Sequence, residues 1–252
     1  MSSSTIQSIE RAFDVLEYFN LNKKEVGVTE LSKKININKS TLHGIIKTLV
    51  KRNYLRQNKK NNKYMLGVKL LELGVVVQKT FLVTNISKEH LENLVNKHKE
   101  TVHVAILEED EVVFIDKLES SQSIRMVSDV GRRLPAHSTA LGKVLLAHLP
   151  EEEKKKFANK NLEKVTSNTI TDSSKLLKEL KKIKNNGYAF DDQEVIDGVR
   201  CVSAPIRNFS GEVIAALSVS GPAFRMETDK INKIINDVVK TANNISKELG
   251  YS

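Results

Sequence analysis

The sequence predicts an α+β protein in which a small basic helical domain precedes a larger domain of mixed strands and helices. The first observation is charge: residues 1–66 hold 13 Lys and Arg against 5 Asp and Glu, while the remainder holds 27 against 26. The second is that helical patterns and a hairpin pattern follow one another within residues 1–66, and the third is that strand-like alternation begins after Leu66. A length of 252 residues suits two domains. The basic first quarter indicates a negatively charged partner.

The first quarter contains three predicted helices. Ser8 is expected to cap the first, whose apolar stripe combines Ile9, Ala12, Phe13 and Leu16. A short helix follows from Thr29, and the segment "NIN" separates it from a third helix that begins near Asn38. Asparagine suits both the turn and the cap, because it tolerates left-handed backbone and its side chain accepts from free amides. The order is therefore that of a helix-turn-helix.

The third helix lies in the stretch "NKSTLHGIIKTLVKRNYL" and has two unlike faces. Leu42, Ile45, Ile46 and Leu49 recur at the spacing of a buried stripe. A solvated helix face normally mixes both signs of charge, but the opposite face here has no acid, which favours duplex DNA as its partner. That face comprises Lys39, Ser40, Thr41, His43, Gly44, Lys47 and Lys51.

A basic hairpin is predicted after the third helix. The segments "YLRQ" and "KYML" have strand character and flank the loop "NKKNN". Lys59 and Lys60 in the loop and Lys63 beside it would meet phosphates. Each piece alone has a plainer interpretation, since packed helix pairs are common and basic hairpins are usually just solvated. A basic arm on a membrane surface is a further alternative. The agreement of order, spacing and charge favours a winged helix-turn-helix DNA-binding domain over residues 1–66.

Residues 67–80 are predicted to form a linker helix that also serves as an oligomer contact, and residues 81–252 a separate domain. Within it "TVHVAILE" and "EVVFIDKL" alternate or run apolar as sheet strands do, and His98 and His103 are expected at the surface. Because one winged helix covers only a short half-site, we expect a homodimer or a homotetramer.

A small-molecule pocket is predicted in the second domain. Ser138 and Thr139 precede a helix rich in Leu and Ala, where free amides and the helix dipole favour an anionic group. Ser218 and Ser220 are two apart on a strand, so both hydroxyls point to one face. We expect the carboxylate of a ligand at the helix start and its polar end at these serines. A closed core lined with polar groups is the alternative.

Catalysis is the rival function, with Cys201 as nucleophile, His137 as base and Asp191 as orienting group of a cysteine-dependent hydrolase. Cys201 lies within the apolar run "GVRCVSAPI", where cysteine is usually a small buried residue, so we expect no enzyme. The six histidines and one cysteine show no paired-ligand spacing, which predicts neither metal nor cofactor. The chain also has no signal peptide pattern and no apolar run of spanning length, so a cytoplasmic protein without membrane contact is expected.

Six segments resemble the isocitrate-lyase-regulator (IclR) family of bacterial transcription factors along nearly the whole chain. They are "SIERAFDVLEYF", "VTELSKKININKSTLHGIIKTLVKRNYL", "YMLGVKLLELG", "GRRLPAHSTALGKVLLA", "DDQEVIDGVRCVSAPIRN" and "VIAALSVSGP". The resemblance implies a winged helix-turn-helix, a linker helix and a GAF-like mixed α/β effector-binding domain.

By the same resemblance, the chain is expected to be a transcriptional regulator, a repressor of a catabolic operon, controlled by a small organic-acid effector. The family's effector contacts fall here on Ala140, Leu141, Asp191, Cys201, Ser218 and Ser220. One departure concerns Gly44, where the family commonly has an arginine that can read guanine. The family's usual base contact is therefore not transferable to this position.

Overall fold

A computed structural model of the chain describes residues 5–20, 23–124 and 128–252. The chain forms two compact units, Met1–Thr80 and Phe81–Ser252. The helices and strands of the first unit, in chain order, are α1 (Gln7–Glu17), α2 (Val28–Lys34), α3 (Lys39–Lys51), β1 (Leu55–Gln57), β2 (Tyr64–Leu66) and α4 (Val68–Thr80).

The helix-turn-helix and the hairpin are confirmed. Leu42, Ile46 and Leu49 of α3 are buried in the core of the first unit, and Ile45 is half-buried beside them. Strands β1 and β2 pair antiparallel around the basic loop. The backbone of Val26 adds a further bridge to the hairpin through mutual hydrogen bonds of 2.9 Å with Tyr64. The arrangement is a winged helix-turn-helix.

Helix α1 differs from the prediction in its start and in its buried face. It begins at Gln7 with Ile6 at the N-cap, so Ser8 lies inside the first turn and does not cap it. Val15 is its fully buried residue, whereas Ile9 and Phe13 are 49% and 54% exposed. The predicted stripe is therefore rotated away from the core of this unit, and two large apolar side chains face outward.

The second unit is built on one six-stranded sheet with the antiparallel strand order β5-β4-β3-β8-β7-β6. Its elements are α5 (Leu82–His98), β3 (Thr101–Glu108), β4 (Glu111–Leu118), β5 (Arg133–Pro135), a 3₁₀ turn (Ala136–Ser138), α6 (Ala140–Ala147), α7 (Glu151–Ala158), α8 (Ser173–Asn186), β6 (Ala189–Asp192), β7 (Val199–Arg207), β8 (Val213–Pro222) and α9 (Thr228–Glu248).

The two faces of the sheet pack against different helices. Leu217 and Val219 of β8 join the core that α5 and α9 cover, whereas Ala216 joins the core that α6 and α8 cover. Because side chains alternate along a strand, Ser218 and Ser220 point to the α6 face, as predicted. Both histidines expected at the surface are buried, His98 at 7% exposure and His103 at 2%.

Candidate functional sites

Helix α3 presents its polar face to solvent in the first unit. Lys39, Ser40, His43, Gly44, Lys47 and Lys51 are exposed, and Thr41 is half-buried. Asn38 caps the helix, because its Oδ1 accepts a hydrogen bond of 2.9 Å from the amide of Thr41. The hydroxyl of Ser40 donates to the same oxygen at 3.1 Å. The cap thus fixes the start of the helix whose outer face is free of acids.

Gly44 has no packing role within the first unit. A Cβ built at this position meets no other atom within 4 Å, and the residue is exposed in the interior of α3. Glycine inside a helix costs roughly 1 kcal/mol relative to alanine. The hydroxyl of Thr48 donates to the carbonyl of Gly44 at 3.0 Å, which any residue at position 44 would allow. Contacts within the first unit therefore do not explain why position 44 is a glycine.

The wing is held by a carboxylate that the sequence did not reveal. Glu25 accepts hydrogen bonds from the side-chain amides of Asn58, at 2.9 Å, and of Asn61, at 2.7 Å. These two bonds lower the pKa of Glu25. Lys59 lies between the two asparagines and Lys60 beside it, and both are exposed. The arrangement fastens the base of the loop and leaves its lysines directed to solvent.

A cavity lies on the α6 face of the sheet in the second unit. It encloses about 500 Å³ including its mouth. Strands β3 to β8, the start of α6 and the loops beside them supply its walls. The described residues that line it are His103, Phe114, Ser128, Arg132, Leu134, Thr139, Ala140, Leu141, Asp191, Val195, Ile196, Val199, Cys201, Ser218 and Ser220.

The structure brings seven of the eight residues predicted for the effector site to this cavity. They are Thr139, Ala140, Leu141, Asp191, Cys201, Ser218 and Ser220. Ser138 is buried but does not line the cavity, because its hydroxyl donates to the carbonyl of Pro135 at 3.1 Å within the turn before α6. The hydroxyl of Thr139 caps α6 and accepts from the amide of Gly142 at 2.9 Å. The amide of Gly142, one of those expected to be free to bind an anionic group, is therefore already hydrogen-bonded.

Asp191, which is buried, and Cys201, which is half-buried, are neighbours on paired strands at one end of the cavity. Burial raises the pKa of Asp191 to about 7, although its Oδ1 accepts from the amide of Glu194 at 2.7 Å. Burial also raises the pKa of the Cys201 thiol well above its usual range, and the neighbouring Asp191 adds to the shift. Near neutral pH the thiol of Cys201 therefore remains protonated, and the carboxyl of Asp191 is protonated in about half of the molecules and can then donate a hydrogen bond.

His103 is the main lining residue that the sequence prediction missed. Its ring stacks on Phe114 with 4.8 Å between the ring centres, and its Nε2 lies 2.6 Å from the hydroxyl of Ser128. Burial, with smaller contributions from Lys117 and Arg132, lowers the pKa of His103 to about 3, so its imidazole is neutral at physiological pH. Because side chains alternate along a strand, His103 points to the sheet face opposite to that of Val102 and Val104. This alternation in the sequence could have predicted that His103 lies on the cavity side of the sheet.

Two buried polar atoms in this lining have no hydrogen-bond partner among the described residues. They are Nδ1 of His103 and the hydroxyl of Ser218. A buried polar group without a partner costs about 1–3 kcal/mol, so such groups are rare unless something else satisfies them. The cavity thus offers unmet hydrogen-bonding capacity on apolar walls, the usual composition of a small-molecule site.

The residues of the alternative hydrolase are not assembled. His137 is absent from the described lining of the cavity, and its Nε2 lies 2.8 Å from the carbonyl of Glu163. The raised pKa of Cys201 disfavours the thiolate that nucleophilic attack requires. Within the described ranges no group of three or more potential ligands could hold a metal ion.

No single helix in the described part of the chain is long and apolar enough to cross a membrane. Two consecutive helical segments, Val68–Val77 and Leu82–His98, reach the required length and hydropathy only when they are taken together.

An exposed basic recognition helix with a wing, followed by a unit that contains a polar-lined cavity, defines a ligand-responsive transcriptional regulator that binds DNA. Comparison with known families agrees in both units. Residues 8–59 match the IclR helix-turn-helix domain, and residues 76–247 match the family described as bacterial transcriptional regulator IclR C-terminal. The chain belongs to the IclR family of bacterial transcriptional regulators.

Individual relatives are similar over nearly their whole length. The HTH-type transcriptional regulator XynR of Escherichia coli is 38% identical over 98% of this chain and 98% of its own. The crystal structure of the Thermotoga maritima IclR has 35% identity and a TM-score of 0.84 over 98% of this chain and 100% of that one. An IclR homolog from Microbacterium hydrocarbonoxydans, complexed with 4-hydroxybenzoate, has 25% identity and a TM-score of 0.84 over 96% and 98%.

Proposed function

We propose that this regulator represses a catabolic operon and that a small organic acid in the cavity controls its binding to the operator. The observation that carries the effector proposal is the pair of unpartnered buried atoms, Nδ1 of His103 and the hydroxyl of Ser218, in the lining of the cavity. That one structural relative is complexed with 4-hydroxybenzoate, itself an organic acid, supports the same chemical class.

The proposed DNA contacts lie on α3 and on the wing. Helix α3 would enter the major groove with its exposed face toward the bases, and the wing lysines would bind phosphate oxygens. Glu25 would act as a positioning residue, since its two hydrogen bonds fasten the loop that carries those lysines. The proposed contacts are Lys39, Ser40, Thr41, His43, Gly44, Lys47 and Lys51 of α3 and Lys59 and Lys60 of the wing.

The proposed effector contacts are the predicted residues that line the cavity. Asp191, Cys201, Ser218 and Ser220 offer protonated or hydroxyl groups, and Thr139, Ala140 and Leu141 form the wall at the start of α6. Ser138 would contribute indirectly, because its hydrogen bond to the carbonyl of Pro135 stabilises the turn before this helix.

A melting-temperature screen of the purified protein against small organic acids tests the effector proposal. A ligand that binds only the folded state stabilises it by about 2.7 kcal/mol at a concentration of 100 times its Kd. At least one acid should raise the melting temperature and should alter the affinity for operator DNA. Acids that leave both quantities unchanged would contradict the proposal.

We further propose that the chain self-associates through residues 67–80, a linker between a DNA-binding domain at 1–66 and an effector domain at 81–252. Helix α4 exposes Val68, Leu71, Val76 and Val77, each more than half exposed. In the same unit α1 exposes Phe13. Four large apolar side chains exposed on one helix of 13 residues support an interaction site on α4.

Light scattering tests the self-association. A dimer or a tetramer of the 28.3 kDa chain should be observed at working concentration. A Leu71→Lys variant should shift the population toward the monomer, because it places a charge within the apolar surface. Observation of the monomer alone for the unmodified chain would contradict the proposal. Because bacterial chromosomal DNA lies in the cytoplasm, we expect the regulator to act there.

A further inference from the structure

The loop between β6 and β7, residues 193–198, separates part of the cavity from solvent. Val195 and Ile196 of this covering loop line the cavity and are half-buried, whereas the next two residues, Asp197 and Gly198, are exposed. One side of the loop therefore faces the cavity and the other faces water. An outward movement of these few residues would open the cavity without a change in the sheet.

The two ends of the covering loop suit hinge positions. Gln193 and Gly198 both have left-handed backbone, with φ of 65° and 78°. The amide of Gly198 donates to Oε1 of Gln193 at 2.9 Å, and the amide of Gln193 donates to the carbonyl of Val199 at 3.0 Å. A left-handed residue other than glycine persists only where its surroundings hold it. These bonds close the base of the loop, so the residues between the two ends can move together.

A buried ion pair fastens the covering loop from beneath. Lys143 on α6 is fully buried, and its Nζ donates to a carboxylate oxygen of Glu194 and, at 3.2 Å, to the carbonyl of Phe190. Glu194 is 7% exposed, and its carbonyl accepts from the hydroxyl of Thr169 at 2.6 Å. Its amide donates to Asp191 at 2.7 Å. Helix α6, which forms one wall of the cavity, is thereby joined to the loop that forms another.

The stability of the fold does not require this pair to be ionic. A buried ion pair is often no more stabilising than a well-packed apolar pair, although the loss of one partner is strongly destabilising because the other charge stays buried. Such a pair can instead specify one arrangement of the elements that it joins. The arrangement that Lys143 and Glu194 would specify is the closed position of the covering loop.

The same pair is incompletely satisfied, which favours its release. Oε2 of Glu194 is buried and has no hydrogen-bond partner among the described residues. Outward movement of the loop would bring this oxygen into contact with water, which donates the hydrogen bond that the closed position lacks. Opening would therefore recover part of the free energy that burial of the carboxylate costs.

We propose that Lys143 and Glu194 are positioning residues that hold the covering loop over the cavity, and that release of this pair opens the cavity to a ligand. Neither side chain is among the described residues that line the cavity, so both act through the loop and not by contact with a ligand. The role in ligand entry rests on the proposed effector function of the cavity. The closure itself does not, because it follows from contacts within the second unit.

The reactivity of Cys201 measures this opening without any effector. Cys201 is the one cysteine of the chain, and it lines the cavity. The full-length protein is treated with N-ethylmaleimide or with the larger fluorescein maleimide, and the intact mass gives the rate of each reaction. A change in the acidity of the thiol alters both rates alike, whereas opening of the loop raises the rate of the larger reagent more.

Glu194→Gln should raise the rate with the larger reagent by at least about tenfold, because the charge of Lys143 loses its partner inside the protein. Glu151→Gln is the matched control. Glu151 pairs with another buried lysine, Lys154, and neither residue is among the described lining of the cavity. The control should leave both rates unchanged. If Glu194→Gln does not fold, Thr169→Val replaces it, since this variant removes only the hydrogen bond to the carbonyl of Glu194 and should raise the rate severalfold.

Urea distinguishes opening of the loop from unfolding of the whole unit. Local opening exposes little new surface, so the rate in Glu194→Gln should be nearly independent of urea well below the unfolding transition. A steep rise with urea would show that Cys201 is reached only by global unfolding, as expected if the pair serves stability alone, and would overturn the proposal. Rates equal to those of the unmodified chain, or an equal increase in Glu151→Gln, would also overturn it. Because none of these measurements uses an effector, their failure leaves the organic-acid proposal standing.

Discussion

Replacement of Gly44 by alanine should stabilise the first unit and lower its affinity for DNA. The new methyl group fits, since nothing lies within 4 Å of its position. Alanine in a helix interior is favoured over glycine by roughly 1 kcal/mol, so the free energy of unfolding should rise by about that amount. At a close interface with DNA, the same methyl group should cost roughly 1–3 kcal/mol of overpacking, which corresponds to a loss of affinity of roughly 5- to 150-fold.

Urea denaturation and fluorescence anisotropy with labelled duplex DNA measure the two effects separately. Gly74→Ala is the matched control, because Gly74 is also an exposed glycine inside a helix with nothing within 4 Å of its Cβ position. It should gain similar stability without loss of DNA affinity, provided that light scattering shows an unchanged oligomer. A Gly44→Ala variant that binds DNA as tightly as the unmodified chain would refute close approach of the DNA at this position.

Three further predictions concern buried or anchoring groups. Because the pKa of Asp191 is raised to about 7 in the folded state, its contribution to stability is full below about pH 4 and is lost as the pH rises toward 7. The free energy of unfolding of Asp191→Asn, measured by urea denaturation, should therefore rise relative to that of the unmodified chain by up to roughly 4 kcal/mol between pH 4 and 8. The lowered pKa of His103 acts in the opposite sense over part of this range, but it is common to both proteins and cancels in the difference. Ser220→Ala should weaken the effector by about 1 kcal/mol in calorimetry, and unchanged affinity would assign Ser220 to the core. Glu25→Ala should lower DNA affinity severalfold in anisotropy while α3 keeps its helicity by circular dichroism; unaltered affinity would show that the wing needs no such anchor.

The winged helix-turn-helix was predictable because its determinants are local. The spacing of Leu42, Ile46 and Leu49 defines the buried face of α3, and Asn38 caps it through a residue three positions away. The strand pattern around the basic loop and the alternation of Ser218 and Ser220 are likewise readable from neighbouring residues.

The parts that could not be predicted depend on contacts between distant residues. Glu25 bonds to Asn58, 33 positions away, and His103 bonds to Ser128, 25 positions away. A histidine or a glutamate in isolation gives no indication of such a partner. On α1, periodicity alone selected Ile9 and Phe13 for the core, but the packing of the unit buries Val15 instead. Periodicity cannot distinguish a face that meets the core from one that is exposed.

The salt dependence of DNA binding tests most directly the central claim, that α3 and the wing bind duplex DNA. Binding to duplex DNA is measured by anisotropy across a range of salt concentrations for the unmodified chain, Lys47→Ala and Lys59→Ala. Lys178→Ala, an exposed lysine on α8 in the second unit, removes the same charge away from the proposed surface. The affinity of the unmodified chain should fall steeply with salt, and each of the first two variants should flatten the logarithmic slope by about one unit, whereas Lys178→Ala should not. Binding that is independent of salt, or equal slopes in all four proteins, would contradict the account.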